Sequence, residues 1–154
     1  MTGINYGAII DDRDMREKLA ELIGQMSNPA GFYKNVGEHL LNSVKDNFEN
    51  ESAPDGSPWR SLSDTTRKQR ALKFGNAPLT ILRASGDLMN SINVETDASR
   101  ARVGSPLVYA AIHHFGGDAG RGRKVTIPAR PYLGLSAADE EEILAIAEDW
   151  LAVE

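Results

Sequence analysis

From Phe32 onward, apolar side chains recur at every fourth position, through Val36, Leu40, Val44 and Phe48, with Tyr33 and Leu41 widening the stripe. Residues four apart stack on one side of a 3.6-residue turn, so this spacing predicts a long helix over 29–50 with one face in the core. Asn28-Pro29 marks its start, a capping side chain followed by proline at the first helical position. Upstream, Met15, Leu19, Leu22, Ile23 and Met26 fall on one stripe and predict another amphipathic helix. Asp11 and Asp12 at its start suit the positive end of the helix dipole. Residues 1–11 read as a flexible N-terminus to a single domain spanning 1–154.

Beyond the long helix the pattern breaks. Glu51 to Pro58 holds two prolines, a glycine and two serines, which predicts a loop with a turn at Asp55-Gly56. Ser63 can cap a mostly polar helix through Thr66 to about Phe74, stopped by Gly75-Asn76-Ala77-Pro78. Leu88 and Ile92, after Ser85-Gly86-Asp87, read as a short helix feeding a strand. Asn93 to Thr96 and Ala101 to Gly104 alternate around the polar turn 97–100 and predict an antiparallel hairpin. Tyr109 to Phe115 fits a short helix, and 116–124, with four glycines and almost no apolar content, reads as a mobile surface loop. Val125 and Ile127 predict a third strand that Pro128 ends. Ser136 with Asp139 three residues later approximates a capping box, opening a terminal helix along Ile143, Ile146, Ala147, Trp150 and Leu151. The fold class is therefore α+β, a small antiparallel β-sheet packed against a long N-terminal helix and a C-terminal helix.

Composition narrows what such a domain can do. The 154 residues are 41% hydrophobic and 25% charged, the balance of an ordinary globular protein, and no run approaches a membrane span. The absence of cysteine removes disulfides, thiolate metal sites and cysteine nucleophiles. Gly7-Ala8-Ile9-Ile10 is followed at once by acids, so no export signal is expected. The net charge of −5 is unevenly spread: residues 1–59 carry 10 acidic and 5 basic groups, while 60–83 carry 6 basic groups against Asp64. Residues 84–99 carry 3 acidic groups and no basic one, 100–131 carry 6 basic groups against Asp118, and 132–154 carry 7 acidic groups and no basic one. Alternating blocks of this kind let one face of a molecule meet the opposite face of a copy or partner.

No constellation for catalysis stands out. His113 and His114 are adjacent and diverge by about 100° on a helix, and His39 lies far away in sequence, so no metal or cofactor is expected. No G-x-S-x-G elbow presents a serine, and the glycines of 116–122 do not form a phosphate loop. Glu49, Glu51 and Asp55 have nothing in sequence to split their acidities into an acid and a base. Nucleic acid is the stronger alternative, through the basic segments 67–73 (Arg67, Lys68, Arg70, Lys73) and 121–130 (Arg121, Arg123, Lys124, Arg130). The acidic total and the lack of aromatic residues among them argue against it.

Four phrases, taken in order, carry a resemblance. They are Pro54-Asp55-Gly56-Ser57-Pro58-Trp59 with Leu62; Ile81-Leu82-Arg83-Ala84-Ser85-Gly86-Asp87-Leu88 with Ser91-Ile92; Tyr109-Ala110-Ala111-Ile112-His113 to Gly117; and Ile127-Pro128-Ala129-Arg130-Pro131-Tyr132-Leu133-Gly134-Leu135-Ser136. Together they resemble the phage virion morphogenesis family, the Mu-type G proteins and tail completion S proteins of contractile-tailed phages and prophages, over about 30–150. His114, Tyr132 and Ser85 stand where that family commonly has glutamine, phenylalanine and threonine. The resemblance implies a non-enzymatic assembly protein that completes the head-proximal end of the tail and readies it for head-tail joining. Its partners would be tail tube or neck and connector proteins and further copies of itself in a ring, in the virion or in the host cytoplasm during assembly, with no membrane and no nucleic acid. As interaction residues we expect Trp59 and Tyr132 as amphipathic anchors, Arg130 as a partner for a carboxylate, and Arg121, Arg123 and Lys124 as a basic contact. Core packing is the alternative for Trp59, Tyr132 and Leu133.

Overall fold

The computed structural model describes residues 13–75 and 77–152; the expected flexible segment 1–11 lies outside them. The helices are α1 (Arg13–Ser27), α2 (Ala30–Asn50), α3 (Asp64–Phe74), α4 (Asp87–Asn90), α5 (Ala110–Phe115) and α6 (Ala137–Leu151). The strands are β1 (Asn93–Thr96), β2 (Ala101–Gly104), β3 (Gly117–Ala119) and β4 (Val125–Ile127). This is the α+β arrangement expected, with the strands in two small antiparallel sheets rather than one.

The spine is α2. Its every-fourth-residue stripe buries Val36, Val44 and Phe48, and the helix ends at Glu51, whose left-handed backbone returns its N–H to the Asn47 carbonyl. Glu51 is not a glycine, so this conformation carries a cost that its surroundings must offset. Part of the offset is visible: its carboxylate accepts the Ile81 N–H at 2.7 Å. The β1–β2 hairpin pairs Asn93 with Gly104 through Thr96 with Ala101 and packs on α2. Gly37 permits that approach, since a Cβ there would lie 2.7 Å from the Val94 side chain and 2.9 Å from Thr96. On another side α6 packs along α2, with the Trp150 ring over Gly31, where a Cβ would be 2.5 Å away.

The segment 116–124 departs from the loop expected of it. Gly117–Ala119 is a strand, paired with Val125–Ile127 in the register Gly117 to Ile127, Asp118 to Thr126 and Ala119 to Val125. Only the tip, Gly120 to Lys124, is a turn. The pairing rests on backbone bonds and on the Thr126 hydroxyl donating to Asp118 at 2.9 Å, so no apolar alternation marks it. The strand 125–127 consequently pairs with its own neighbour and does not extend the first hairpin.

The first helix also differs in its setting. It contacts α6 but buries none of its residues, and Met15, Leu19, Ile23 and Met26 remain 58%, 51%, 64% and 68% exposed. Its apolar stripe therefore faces outward, not into the core. The capping box on α6 is present in full: the Ser136 hydroxyl accepts the Asp139 N–H at 3.0 Å, and the Asp139 carboxylate accepts the Ser136 N–H at 2.8 Å.

Candidate functional site

The second half of the resemblance, the phrase around Arg130, forms the centre of the molecule. Phe48 is flanked by Trp59 and Tyr132, with ring centroids 5.6 and 5.0 Å away. Trp59 donates its indole N–H to the Pro131 carbonyl at 2.7 Å, and the Tyr132 hydroxyl donates to the Ala110 carbonyl at 2.9 Å. Asn47 adds a bond from its amide to the Tyr132 carbonyl at 3.2 Å. Trp59 is 6% exposed and Tyr132 is 1% exposed, so both polar tips are satisfied inside the fold. Burial pushes the Tyr132 phenol above its ordinary range. The expectation that these two residues anchor a partner is corrected accordingly: they close the core by tying the loop after α2, α5 and the 128–133 segment together.

His114 takes part in the same work. Its Nδ1 accepts the Tyr132 and Leu133 N–H groups at 3.3 and 3.5 Å, and its ring meets Tyr132 edge-on at 5.1 Å. Burial holds it below the ordinary histidine range, which keeps the accepting nitrogen free of a proton.

Arg130 is 6% exposed, unusual for arginine, and its guanidinium is spent on main-chain carbonyls: Nε donates to Arg60 at 3.0 Å and Nη2 to Ser61 at 3.4 Å. Its backbone N–H reaches the His113 carbonyl at 3.0 Å. Arg130 therefore braces the 60–61 segment from within. Burial chiefly, then repulsion from Arg70 and Arg60, holds its pKa below the ordinary arginine value, while Glu51 opposes the shift.

Beside Arg130 opens a groove of about 790 Å³. One wall is the stretch from Arg60 to Thr66, with Arg70 on α3; the other is Val125 to Pro128 on and after β4; His113 lies between them. The remaining basic residues expected at an interface, Arg121, Arg123 and Lys124, sit apart from it at the exposed tip of the β3–β4 hairpin. There Arg123 has a positive φ of 53° and donates its N–H to the Gly120 carbonyl at 3.1 Å. None of the three forms an ion pair with a described residue. On α3, Arg67, Lys68 and Lys73 point outward, and Arg70 donates to the Thr80 carbonyl at 2.5 Å.

A polar cluster that the sequence pattern does not reveal joins α2 to α6. Asp139 is 3% exposed and accepts from His39 Nε2 at 2.8 Å and from the Ser43 hydroxyl at 2.9 Å, besides its bonds to Ser136. Desolvation is the largest single influence and raises its carboxyl, but the Ser136, Ser43 and His39 hydrogen bonds together outweigh it and hold the group below its ordinary value. A serine, a histidine and an aspartate meet here, yet both the serine and the histidine bond to the carboxylate itself. No serine is activated by the imidazole, as nucleophilic catalysis would require. Among the described residues no group of His, Cys, Asp or Glu has the arrangement of a metal site, and no helix is long and apolar enough to cross a membrane.

The chain that builds this aromatic core and cationic groove is a member of the phage virion morphogenesis family, matched over residues 10–152. It is 34% identical over 142 residues to a protein of Escherichia phage Mu provisionally named capsid assembly protein G, covering 91% of this chain and 90% of that one. It is 35% identical over 138 residues to the Mu-like prophage FluMu G protein 2 of Haemophilus influenzae, covering 90% and 89%. No solved structure gives a significant match.

Proposed function

We propose that this protein completes the head-proximal end of a contractile phage or prophage tail and prepares it for joining to the head, acting by protein-protein binding. Family membership over nearly the whole chain is the observation that carries this reading. The relatives named for capsid assembly and for Mu-like G proteins support a structural role in assembly. The chemistry of the fold is consistent with binding: the buried polar groups of Trp59, Arg130 and Tyr132 are spent on holding loops, and the charge along the chain is grouped by sign. Its partners are the tail tube or neck proteins and further copies of itself in a ring. Its place is the virion or the host cytoplasm during assembly.

Two exposed regions serve as contacts in this reading. The hairpin tip bearing Arg121, Arg123 and Lys124 presents three cations, none of them in an ion pair with a described residue, on a short ribbon. The groove beside Arg130 presents a second cationic surface with apolar walls. Purified tails, separated from heads before joining, test the proposal: gold-labelled antibody should mark the end opposite the baseplate. Label confined to heads, or absent from both, contradicts it.

A further inference from the structure

The groove beside Arg130 gathers positive charge that the described residues do not pair off. Arg60, Arg70 and Arg130 all line it, close enough for the first two to repel the third. No carboxylate among the described residues forms an ion pair with any of them. The acids that face this charge are Asp64 on the rim and Glu51 behind Arg130, and Glu51 is already bonded to the Ile81 N–H. His113 adds a buried Nδ1 without a hydrogen-bond partner. Burial, then Arg130, keeps that ring neutral, so it can still accept or donate one bond. The walls are apolar where Leu62, Leu82 and Val125 meet the groove. Cations between apolar walls, with no aromatic face for base stacking, suit carboxylates on an apolar helix surface better than a phosphate backbone.

The same chain carries such a surface. On α6, Glu141, Leu144 and Glu148 fall on one exposed face, with Leu144 65% exposed. Positions three and four apart share a helix face, and the two glutamates lie about 10 Å apart along the axis. Neither pairs with a basic side chain among the described residues, and residues 132–154 contain no base at all. The inner face of α6, carrying Ile143, Ile146, Ala147 and Trp150, is turned toward the rest of the subunit, and no residue of α6 lines the groove. Donor surface and acceptor groove are thus different parts of one subunit.

We propose that the outer face of α6 in one copy docks into the Arg60–Arg70–Arg130 groove of the next, with Glu141 and Glu148 drawn to the exposed Arg60 guanidinium and to the positive field of Arg70 and Arg130 behind it, and Leu144 meeting the apolar wall. The contact is head-to-tail, so it propagates, and it closes into a ring when the rotation between copies permits. It rests on the reading of the protein as an assembly component and names the surface by which copies would join.

Two variants of the full chain separate the halves of the contact. Glu141→Lys with Glu148→Lys spoils the helix and leaves the groove; Arg60→Glu with Val125→Asp spoils the groove and leaves the helix. All four positions are exposed, so both variants should melt near the parent. In sedimentation velocity at low salt the parent should form oligomers that weaken as salt rises. Each variant alone should associate more weakly, by about tenfold or more, as expected when attractive charge pairs become repulsive. Mixed together they should form a 1:1 heterodimer and nothing larger, because one good helix and one good groove remain. A monomeric parent at high concentration, variants that associate like the parent, or a mixture without heterodimer overturns the proposal. So does a groove variant that loses binding to a DNA duplex while self-association is unchanged, which would assign the groove to nucleic acid. These outcomes are read on purified protein, independently of whether the protein acts in the tail.

Discussion

Trp59 and Pro131 are joined by an indole N–H to carbonyl bond of 2.7 Å across 72 positions of sequence. That bond, with Tyr132 on Ala110, holds three of the phrases that mark the family together around Phe48. Replacing Trp59 with phenylalanine leaves the Pro131 carbonyl without its donor and should cost about 1–3 kcal/mol. Trp59→Ala also opens a cavity beside Phe48 and should cost about 3–5 kcal/mol. Urea denaturation of the two variants checks the order; equal losses would mean that Trp59 contributes through its N–H alone.

Gly37 faces the β1–β2 hairpin at a distance that leaves no room for a methyl group. Gly37→Ala gains about 0.5–1 kcal/mol of helix propensity but must push two β-branched side chains, Val94 and Thr96, away from α2. Overpacking of this kind costs about 1–3 kcal/mol, so the net change should be destabilising by about 1 kcal/mol. A shift of the hairpin amides in NMR spectra of the variant should accompany the loss.

Stability should fall in two stages as the solution is acidified. His113 and His114 titrate below their ordinary 6.5 in the folded state, so the unfolded chain binds their protons first. Their contribution is complete above that value and is lost as pH falls through the folded values. Asp139, held below its ordinary 3.8, contributes stability that is present above that value and lost as pH falls through its folded value. Asp139→Asn should lower stability at neutral pH by about 1–3 kcal/mol and flatten the second stage. His114→Gln should flatten the first while retaining an acceptor for the Tyr132 N–H.

At the hairpin tip, Arg121, Arg123 and Lys124 touch no acid among the described residues. Replacing all three by serine should change stability by no more than ~0.5 kcal/mol each. In the proposed function the same change should reduce the yield of joined particles. A triple variant that complements a defective phage at full titre removes the tip from the contact surface.

How much of this was legible in the sequence depended on periodicity. The α2 stripe and the Ser136–Asp139 capping box are local patterns, and both appear where their spacing placed them. The strand β3 escaped because glycines and an aspartate carry no alternation, and its partner is fixed by backbone bonds. The exposed stripe on α1 shows the limit of periodicity from the other side: spacing identifies the helix but not whether anything covers its apolar face. Trp59 and Tyr132 read as anchors or as core, since one residue alone does not reveal that both polar tips find carbonyls inside the fold. Phe48, 11 residues before Trp59 in sequence, was the available hint. The bond of His39 to Asp139 spans 100 positions and has no local signature. Its one trace in the sequence is the place of Asp139 in a capping box, a site where a carboxylate gathers further donors.

In the proposed function the protein acts late in assembly, where tail meets head. Electron microscopy of a lysate from a phage lacking only this gene tests this most directly, with the intact gene supplied from a plasmid as the control. Filled heads and separate, unjoined tails are expected in the mutant lysate, and whole virions once the gene is restored. Normal virions from the mutant would contradict it.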